Sequence, residues 1–366
     1  MRVISWNVQG AKRTQVLLEL QFLKRTYKPD IIFLLETMVN ERNILQLLPR
    51  IGFEHFDFVA PNNHSGGLAV LWHNTNVHAS LLNKEHRAIH MLVHDHISNH
   101  KVIISGIYAP AQQRETAAFW NHLYRLNGVM NLPWCLIGDF NEMATPIEKR
   151  GGRLPSDSSF ERLNDFLNTI NASTVPTNGS LFTWKKCIHT HLIYERLDRV
   201  IGRSDWNTLF PEAVVVHGSF TCSDHCPIIL IDSIPRLQRK NFPFRFQNYW
   251  SQYQQVQHIV QRQWRNPMAG TSMFSLVQRL KRLKQPLKEW AHTSLRNNHQ
   301  RLSTNTQKIQ QVETQLLDQL ESHRLHSWLK RLLVQREKLL LFRQKYWDRF
   351  KRKKWLVDGD RNSSYF

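Results

Sequence analysis

WCLIGDFNEM, residues 134–143, begins as an apolar run and ends among polar side chains. The run reads as a buried strand, with Asp139 and Asn141 at its end. In an extended segment, residues two apart face the same side, so this spacing groups a carboxylate with an amide. Such a pair can orient a water and hold a phosphate oxygen. The plainer reading is a turn, since Gly, Asp and Asn all favour turns, and taken alone the stretch favours the turn. The pattern recurs, however. Asn7 follows VISW, Glu36 follows IFLL, Tyr108 stands in GIYAP, Asp198 in ERLDRV, and Asp224 with His225 in SDHCPI just before another apolar run. Strand ends are where layered α/β folds assemble their sites.

Each of these residues has a plainer role when isolated. Glu36 is then a salt-bridged strand end, Asn7 a turn amide and Tyr108 a core aromatic before a Pro turn. Asp198 becomes an ion pair with Arg196 or Arg199, and His225 a lone surface imidazole. Against this, a carboxylate closing a run bound for the core is costly unless it is paired or binds a metal. An adjacent Asp–His pair offers a metal contact and a proton donor. Six segments delivering such groups to strand ends point to metal-assisted phosphodiester hydrolysis, which needs charge neutralisation and an aimed water.

Between these points the chain alternates apolar runs (VISWNV, DIIFLLE, GGLAVLWH, AIHMLVH, KVIISGIYA, YERLDRVIG and CPIILI) with helical patterns through Val16–Leu23, Thr116–Leu126 and Phe160–Thr169. This predicts an α/β (α+β) fold of two packed mixed sheets covered by helices. The 366 residues allow two domains. Four cysteines without a CxxC pair read as reduced thiols of a cytosolic or nuclear protein. No apolar run approaches the ~20 residues of a membrane helix, and the N-terminus lacks the pattern of a signal peptide.

Charge divides the chain. Residues 1–232 hold 22 Lys+Arg against 21 Asp+Glu, and residues 233–366 hold 27 against 8. We read 1–232 as a catalytic domain, 233–246 as a Pro-punctuated basic connector and 247–366 as a basic, all-α extension. In the extension Ile309, Val312, Leu316 and Leu320 recur at helical spacing, as expected of long helices, two of them paired antiparallel. A polycation of this kind suits nucleic acid or an anionic membrane face. Its densest point, RFKRKKW, offers Arg349, Lys351, Arg352, Lys353 and Lys354 as phosphate contacts. The tryptophans of the extension, Trp250, Trp264, Trp290, Trp328, Trp347 and Trp355, read as packing residues before base-stacking ones.

The ordered set SWNVQG, LLET, GIYAP, GDFNEM, ERLDRV and SDHCPI resembles the endonuclease/exonuclease/phosphatase (DNase I-like) superfamily. Within it, the chain is similar to the endonuclease of plant LINE-type (non-LTR) retrotransposon polyproteins. FPFRFQNYW and KWLVDGDRNSSYF resemble the segment those polyproteins place before reverse transcriptase, so the chain reads as truncated there. The resemblance implies a four-layered α/β sandwich that nicks DNA with Mg2+, or Mn2+ in its place, leaving a 3′-hydroxyl. It implies Glu36 and Asn7 as metal ligands, with Asp224 a further metal-side carboxylate. Asp139 would aim or deprotonate the water. Asn141 and Tyr108 would contact the phosphate, with Thr183 near it. His225, oriented by Asp198, would stabilise or protonate at phosphate. Where apurinic endonucleases carry an acid two positions past the motif Asn, this chain has Gln9, which departs from their second metal contact and abasic specificity. The implied partners are DNA, and RNA through the extension, with no membrane and no obligate protein partner; the implied location is the nucleus. Two other readings stand beside this one: a phosphatase of small or lipid phosphates on the same fold, and an inactive nucleic-acid-binding remnant.

Overall fold

Valine- and isoleucine-rich runs with small or polar ends form the strands that place the site. In the computed structural model, residues 1–40, 50–61, 66–96, 98–156, 158–188, 191–232, 246, 250–251, 253–265 and 270–358 are described. Their elements run β1 (Arg2–Asn7), α1 (Thr14–Tyr27), β2 (Ile31–Leu35), β3 (His55–Val59), β4 (Leu68–Trp72), β5 (Val77–Glu85), β6 (Ala88–Asp95), β7 (Lys101–Tyr108), α2 (Gln113–Val129), β8 (Trp134–Asp139), β9 (Lys149–Arg150) and α3 (Ser158–Thr169). They continue through β10 (Ala172–Thr174), β11 (Thr177–Asn178), β12 (Trp184–Ile188), β13 (His191–Glu195), β14 (Asp198–Arg203), α4 (Ser204–Leu209), β15 (Val214–His217), β16 (Ile228–Ile231), α5 (Gln254–Trp264), α6 (Ser272–Asp318) and α7 (His323–Asp358).

One sheet has the order β11-β15-β16-β1-β2-β4-β3 and a second β10-β14-β8-β7-β6-β5. Their facing sides share a core of Val3, Phe33 and Val70 from the first with Met91, Ile104 and Ile137 from the second. The outer face of the first sheet packs Ile4 and Trp6 under Leu17 and Leu20 of α1. The outer face of the second packs Trp134 and Leu136 under Trp120 of α2 and Phe166 of α3. The result is the expected four-layered α/β sandwich, followed by helices.

Register explains where the polar ends meet. β1 and β2 are parallel with Asn7 opposite Leu35, and β7 and β8 are parallel with Tyr108 opposite Asp139. Parallel neighbours finish at the same edge of a sheet. The antiparallel neighbours begin there: β14 starts with Asp198 opposite Asp139, and β16 follows His225.

YERLDRVIG is not one strand. β13 ends at Glu195 in a small three-stranded sheet, and β14 starts at Asp198 in the large one. The chain is turned there by the Thr183 hydroxyl, which accepts the N–H groups of both Leu197 and Asp198.

Packing divides the chain into two compact units. The first comprises Met1–Pro235 together with Gln310–Lys330, and the second Arg236–Ile309 with Arg331–Phe366. Within the second, Trp250, Val256, Leu283, Leu287 and Trp290 form a core, so Trp250 and Trp290 are packing residues. Asn305 Nδ2 donates to the Leu332 carbonyl at 3.1 Å and Arg336 Nη1 to Thr306 Oγ1 at 2.6 Å, pairing α6 with α7. Trp264 and Trp328 are 37% and 38% exposed. The side chains of Trp347, Arg349, Lys351, Arg352, Lys353, Lys354 and Trp355 lie outside the described residues. Cys135 and Cys226 are buried and Cys187 is exposed; these and Cys222 form no disulfide. No helix among the described residues is long and apolar enough to cross a membrane.

Candidate active site

Six of the expected residues form one continuous chain of contacts at the shared strand edge. Tyr108 donates its phenol to Glu36 Oε1 at 3.0 Å. Asn7 Nδ2 donates to the same Glu36 oxygen at 2.8 Å and to Asp139 Oδ2 at 3.1 Å. Asp139 Oδ2 lies 3.7 Å from His225 Nε2, and His225 Nδ1 is 2.7 Å from Asp198 Oδ2. Asn7, Asp139, Asp198 and His225 are all buried, so these are groups withdrawn from water that satisfy one another.

The isolated readings can now be weighed. Arg196 and Arg199 both pair with Glu148, which leaves Asp198 to His225. Glu36 accepts from two neutral donors and makes no ion pair among the described residues. It also sits at φ 50°, a left-handed conformation uncommon outside glycine and asparagine. Neighbouring main-chain bonds hold it there: Gly10 donates to the Glu36 carbonyl, and Thr37 and Met38 donate to the carbonyls of Gly67 and Gly66. Tyr108 is both things at once, packed against the inter-sheet core and bonded to Glu36.

Asn141 departs from its expected geometry. The strand stops at Asp139, and Asn141 turns to φ 50° rather than continuing extended. Its N–H caps Asp139 Oδ1 at 3.0 Å, and its amide donates to the Ala109 carbonyl at 2.8 Å. The turn therefore exists, and it fixes Asp139 from below. Thr183 also differs from expectation. It is fully buried, and its hydroxyl holds the amides of Leu197 and Asp198, so it positions Asp198 instead of facing a phosphate.

Asp224 is held apart from the chain of contacts. Its Oδ2 accepts from Gln9 Nε2 at 2.7 Å and Trp184 Nε1 at 3.0 Å, and its Oδ1 is 4.0 Å from His225 Nε2. Ser223 ties this segment down, donating to the Asn7 carbonyl at 2.8 Å and accepting from His225 N–H at 3.2 Å. Trp184 and Ser223 went unforeseen, because an indole in a mixed stretch and one serine among many give no local signal.

Charge separates the roles. Burial works against a charged imidazole, but Asp198, Asp139 and Asp224 override it and raise His225 to about 10. Burial raises Asp139 to about 7, with Asp198 adding to it and His225 and two hydrogen bonds opposing. Burial and the Glu36 carboxylate push the Tyr108 phenol well up, so it stays a donor.

Asp139, Asp198 and His225 place ligand atoms within 4.8 Å of one another, a set that could hold a metal. The imidazole is already committed to Asp198 through Nδ1, however. The oxygen donors around Glu36 fit a hard divalent cation better. There an unpaired carboxylate and Asp139 converge on the positive edge of one amide, which marks a place that favours positive charge.

Residues 4–225 match the Endonuclease/Exonuclease/phosphatase family. Among solved structures, the chain is similar to the endonuclease domain of TRAS1, a telomere-specific non-LTR retrotransposon, at 14% identity over 65% of this chain and 99% of that one, with a TM-score of 0.49. It is similar to a 3′-5′ exonuclease from Neisseria meningitidis at 17% identity, covering 63% and 99% of the two chains with a TM-score of 0.48. An AP endonuclease from Archaeoglobus fulgidus is 15% identical, with 63% and 98% covered and a TM-score of 0.47. No curated protein matches the chain.

Proposed function

This chain belongs to the endonuclease/exonuclease/phosphatase family, and from that premise we propose that it is a Mg2+-dependent DNA endonuclease that nicks one strand and leaves a 3′-hydroxyl. The observation that carries this reading is the unbroken run of contacts from Tyr108 through Glu36, Asn7, Asp139 and His225 to Asp198. Asp139, near neutrality, aims the attacking water and takes its proton. As the bond from phosphorus to the 3′-oxygen breaks, the imidazolium of His225 stabilises with Nε2 the negative charge that builds on the phosphate and gives its proton to the departing 3′-oxygen, while Asp198 holds the ring. Asn141, with a second amide hydrogen beyond the one on the Ala109 carbonyl, offers a donor to the phosphate oxygens, and Tyr108 offers its phenol by turning it from Glu36. Glu36 and Asn7 would hold the cation, with Asp224 as a further carboxylate on the metal side. When bound, the cation neutralises charge on the phosphate.

The balance of 27 Lys+Arg against 8 Asp+Glu in residues 233–366 favours a nucleic acid over a small phosphate ester. FPFRFQNYW and KWLVDGDRNSSYF support an origin in a LINE-type element, with RNA as a second ligand of the extension and the nucleus as the place of action. The test is nicking of supercoiled plasmid by the full chain with Mg2+, set against phosphate release from inositol phosphates. Nicking by the wild type, its loss in Glu36→Gln and in His225→Ala, and DNA retention by all three are expected. Phosphate release without nicking would replace this reading with a phosphatase, and retention without cutting would leave a binding remnant.

A further inference from the structure

Glu313, on α6, belongs to the same compact unit as the active site, together with the rest of Gln310–Lys330. Val312, Leu316, Leu317 and Leu320 supply that segment's apolar side, and Leu317 and Leu320 pack against a cluster of Phe182, Tyr194, Phe220 and Cys226. Cys226 directly follows His225. Amid this apolar surface Glu313 is largely covered, and its carboxylate meets the Phe220 main chain and the Lys185 ammonium. Oε1 accepts the Phe220 N–H at 3.1 Å and lies 3.8 Å from Lys185 Nζ. The Lys185 ammonium in turn stands 4.6 Å from the centre of the Phe220 ring. Glu313, Lys185 and Phe220 thus form a closed triangle, in which a carboxylate joins a strand residue to the loop before His225.

Both joined segments carry the site. Lys185 N–H donates to the Asp224 carbonyl and Cys226 N–H to the Thr183 carbonyl, each at 2.9 Å. Trp184 pairs with His225 as a bridge, and its indole holds Asp224. Thr183 fixes Asp198. Residues 183–185 therefore position Asp198, Asp224 and His225, and Glu313 is the charged group that locks residue 185 to residue 220. Lys185 is 19% and Glu313 12% exposed in their side chains, so the pair is largely withdrawn from water, and removing one partner takes an opposite charge from the other.

We propose that Glu313 is a positioning residue of the active site, and that the segment Gln310–Lys330 is a built-in support that holds the His225 loop in register with Asp139 and Asp198. The proposal rests on the nuclease reading for its catalytic consequence and on contacts alone for its mechanical one. A small displacement of a charged group from its working position costs up to about 100-fold in rate. Loosening the loop by removing one strut should cost about tenfold in kcat, with little effect on KM, because Glu313 touches no substrate.

The experiment compares the full chain with Glu313→Ala, Glu313→Gln and Thr314→Ala. Thr314 is exposed and bonds only to its own helix at Gln310, so its variant controls for changes on the same turn. Plasmid nicking gives kcat and KM, and amide hydrogen exchange of residues 218–226 reports the loop directly. Glu313→Ala should lose about tenfold in kcat with KM held within about twofold, and its loop amides should exchange about tenfold faster. Glu313→Gln keeps an acceptor for the Phe220 N–H but loses the charge facing Lys185, so it should fall between Glu313→Ala and the wild type in both, while Thr314→Ala matches the wild type. Unchanged exchange in folded Glu313→Ala overturns the proposal, as does a kcat loss that only tracks the folded fraction. Should the wild type cut no phosphodiester, the nuclease reading and the catalytic half of this proposal fall, while the exchange data still decide whether Glu313 holds the loop.

Discussion

Asp198 acts on His225 in two ways, fixing the ring through Nδ1 and supplying the charge that keeps it protonated up to about 10. Its carboxylate also helps burial to lift Asp139 to about 7. The base must be deprotonated and the imidazole protonated, so nicking should rise as pH climbs through about 7 and fall as it passes about 10. Asp198→Asn keeps an acceptor but removes the charge. Both limbs of the kcat/KM profile should then move to lower pH, with a rate loss at pH 8 of about 100-fold or more. A profile whose limbs stay in place would separate Asp198 from both groups. Gln9 makes a second case. Its amide neutralises one side of Asp224 at 2.7 Å, and Gln9→Glu would set two carboxylates against each other there. That variant should melt lower than the wild type without divalent cation and gain more from added Mg2+; equal shifts in the two proteins would show that no cation reaches this corner. Glu36 and Asp139 were legible because each is a polar residue closing an apolar run, and His225 because it stands just before one. The partnership of Gln9 and Trp184 on Asp224 was not, since it joins residues up to 215 positions apart with no run to mark them.

Strand pairing decides how firmly these side chains are held. Tyr108 and Asp139 end β7 and β8, and Gly138 lies one residue before Asp139 at φ 148°. A Cβ there would stand 2.0 Å from the Ile107 carbonyl oxygen, which is main chain and cannot swing aside. Gly138→Ala should cost ~3 kcal/mol of stability in urea melts and weaken cutting through both strands. In β6, His90 is buried with Nδ1 2.7 Å from Ser105 Oγ, and burial followed by the charge of His122 lowers it to about 4. Above pH 6.5 it is neutral whether the chain is folded or not, so it exerts no pull on stability. Between about 6.5 and about 4 only the unfolded chain takes up the proton, and stability falls by about 1.4 kcal/mol per unit, up to about 3 kcal/mol. His90→Leu should flatten that slope whatever it does to stability at pH 8, and urea titrations at several pH values read it. Most core strands were visible as apolar runs; the short β9, β10, β11 and β15 were not, and neither were β3, β5, β12 and β13. The latter four mix half-exposed and polar residues and owe their pairing to neighbours rather than to their own composition.

At the level of the whole chain, the charge excess and the chemistry occupy different stretches of sequence, and the stretch of the extension that packs with the catalytic unit, Gln310–Lys330, is not a basic one, with 2 Lys+Arg against 3 Asp+Glu. The excess was plain from composition. The return of Gln310–Lys330 to the catalytic unit was not, because its helical spacing only says that one side is apolar and not what covers it. This bears on how DNA binding by the extension should be measured. Removing everything after Asp232 takes away 27 Lys+Arg and Glu313 together, so a loss of cutting would report neither cause alone. Neutralising exposed cations outside the supporting segment avoids the confusion. Lys281, Arg282, Lys284 and Lys288 are all exposed on α6 and lie outside Gln310–Lys330. Changing all four to Gln should lower the slope of log K against log salt by about 0.9 for each side chain that meets a phosphate. Cutting at saturating DNA should stay the same, because none of the four lies among the site contacts. A slope equal to the wild type's would mean that these four cations face water rather than phosphate when DNA is bound.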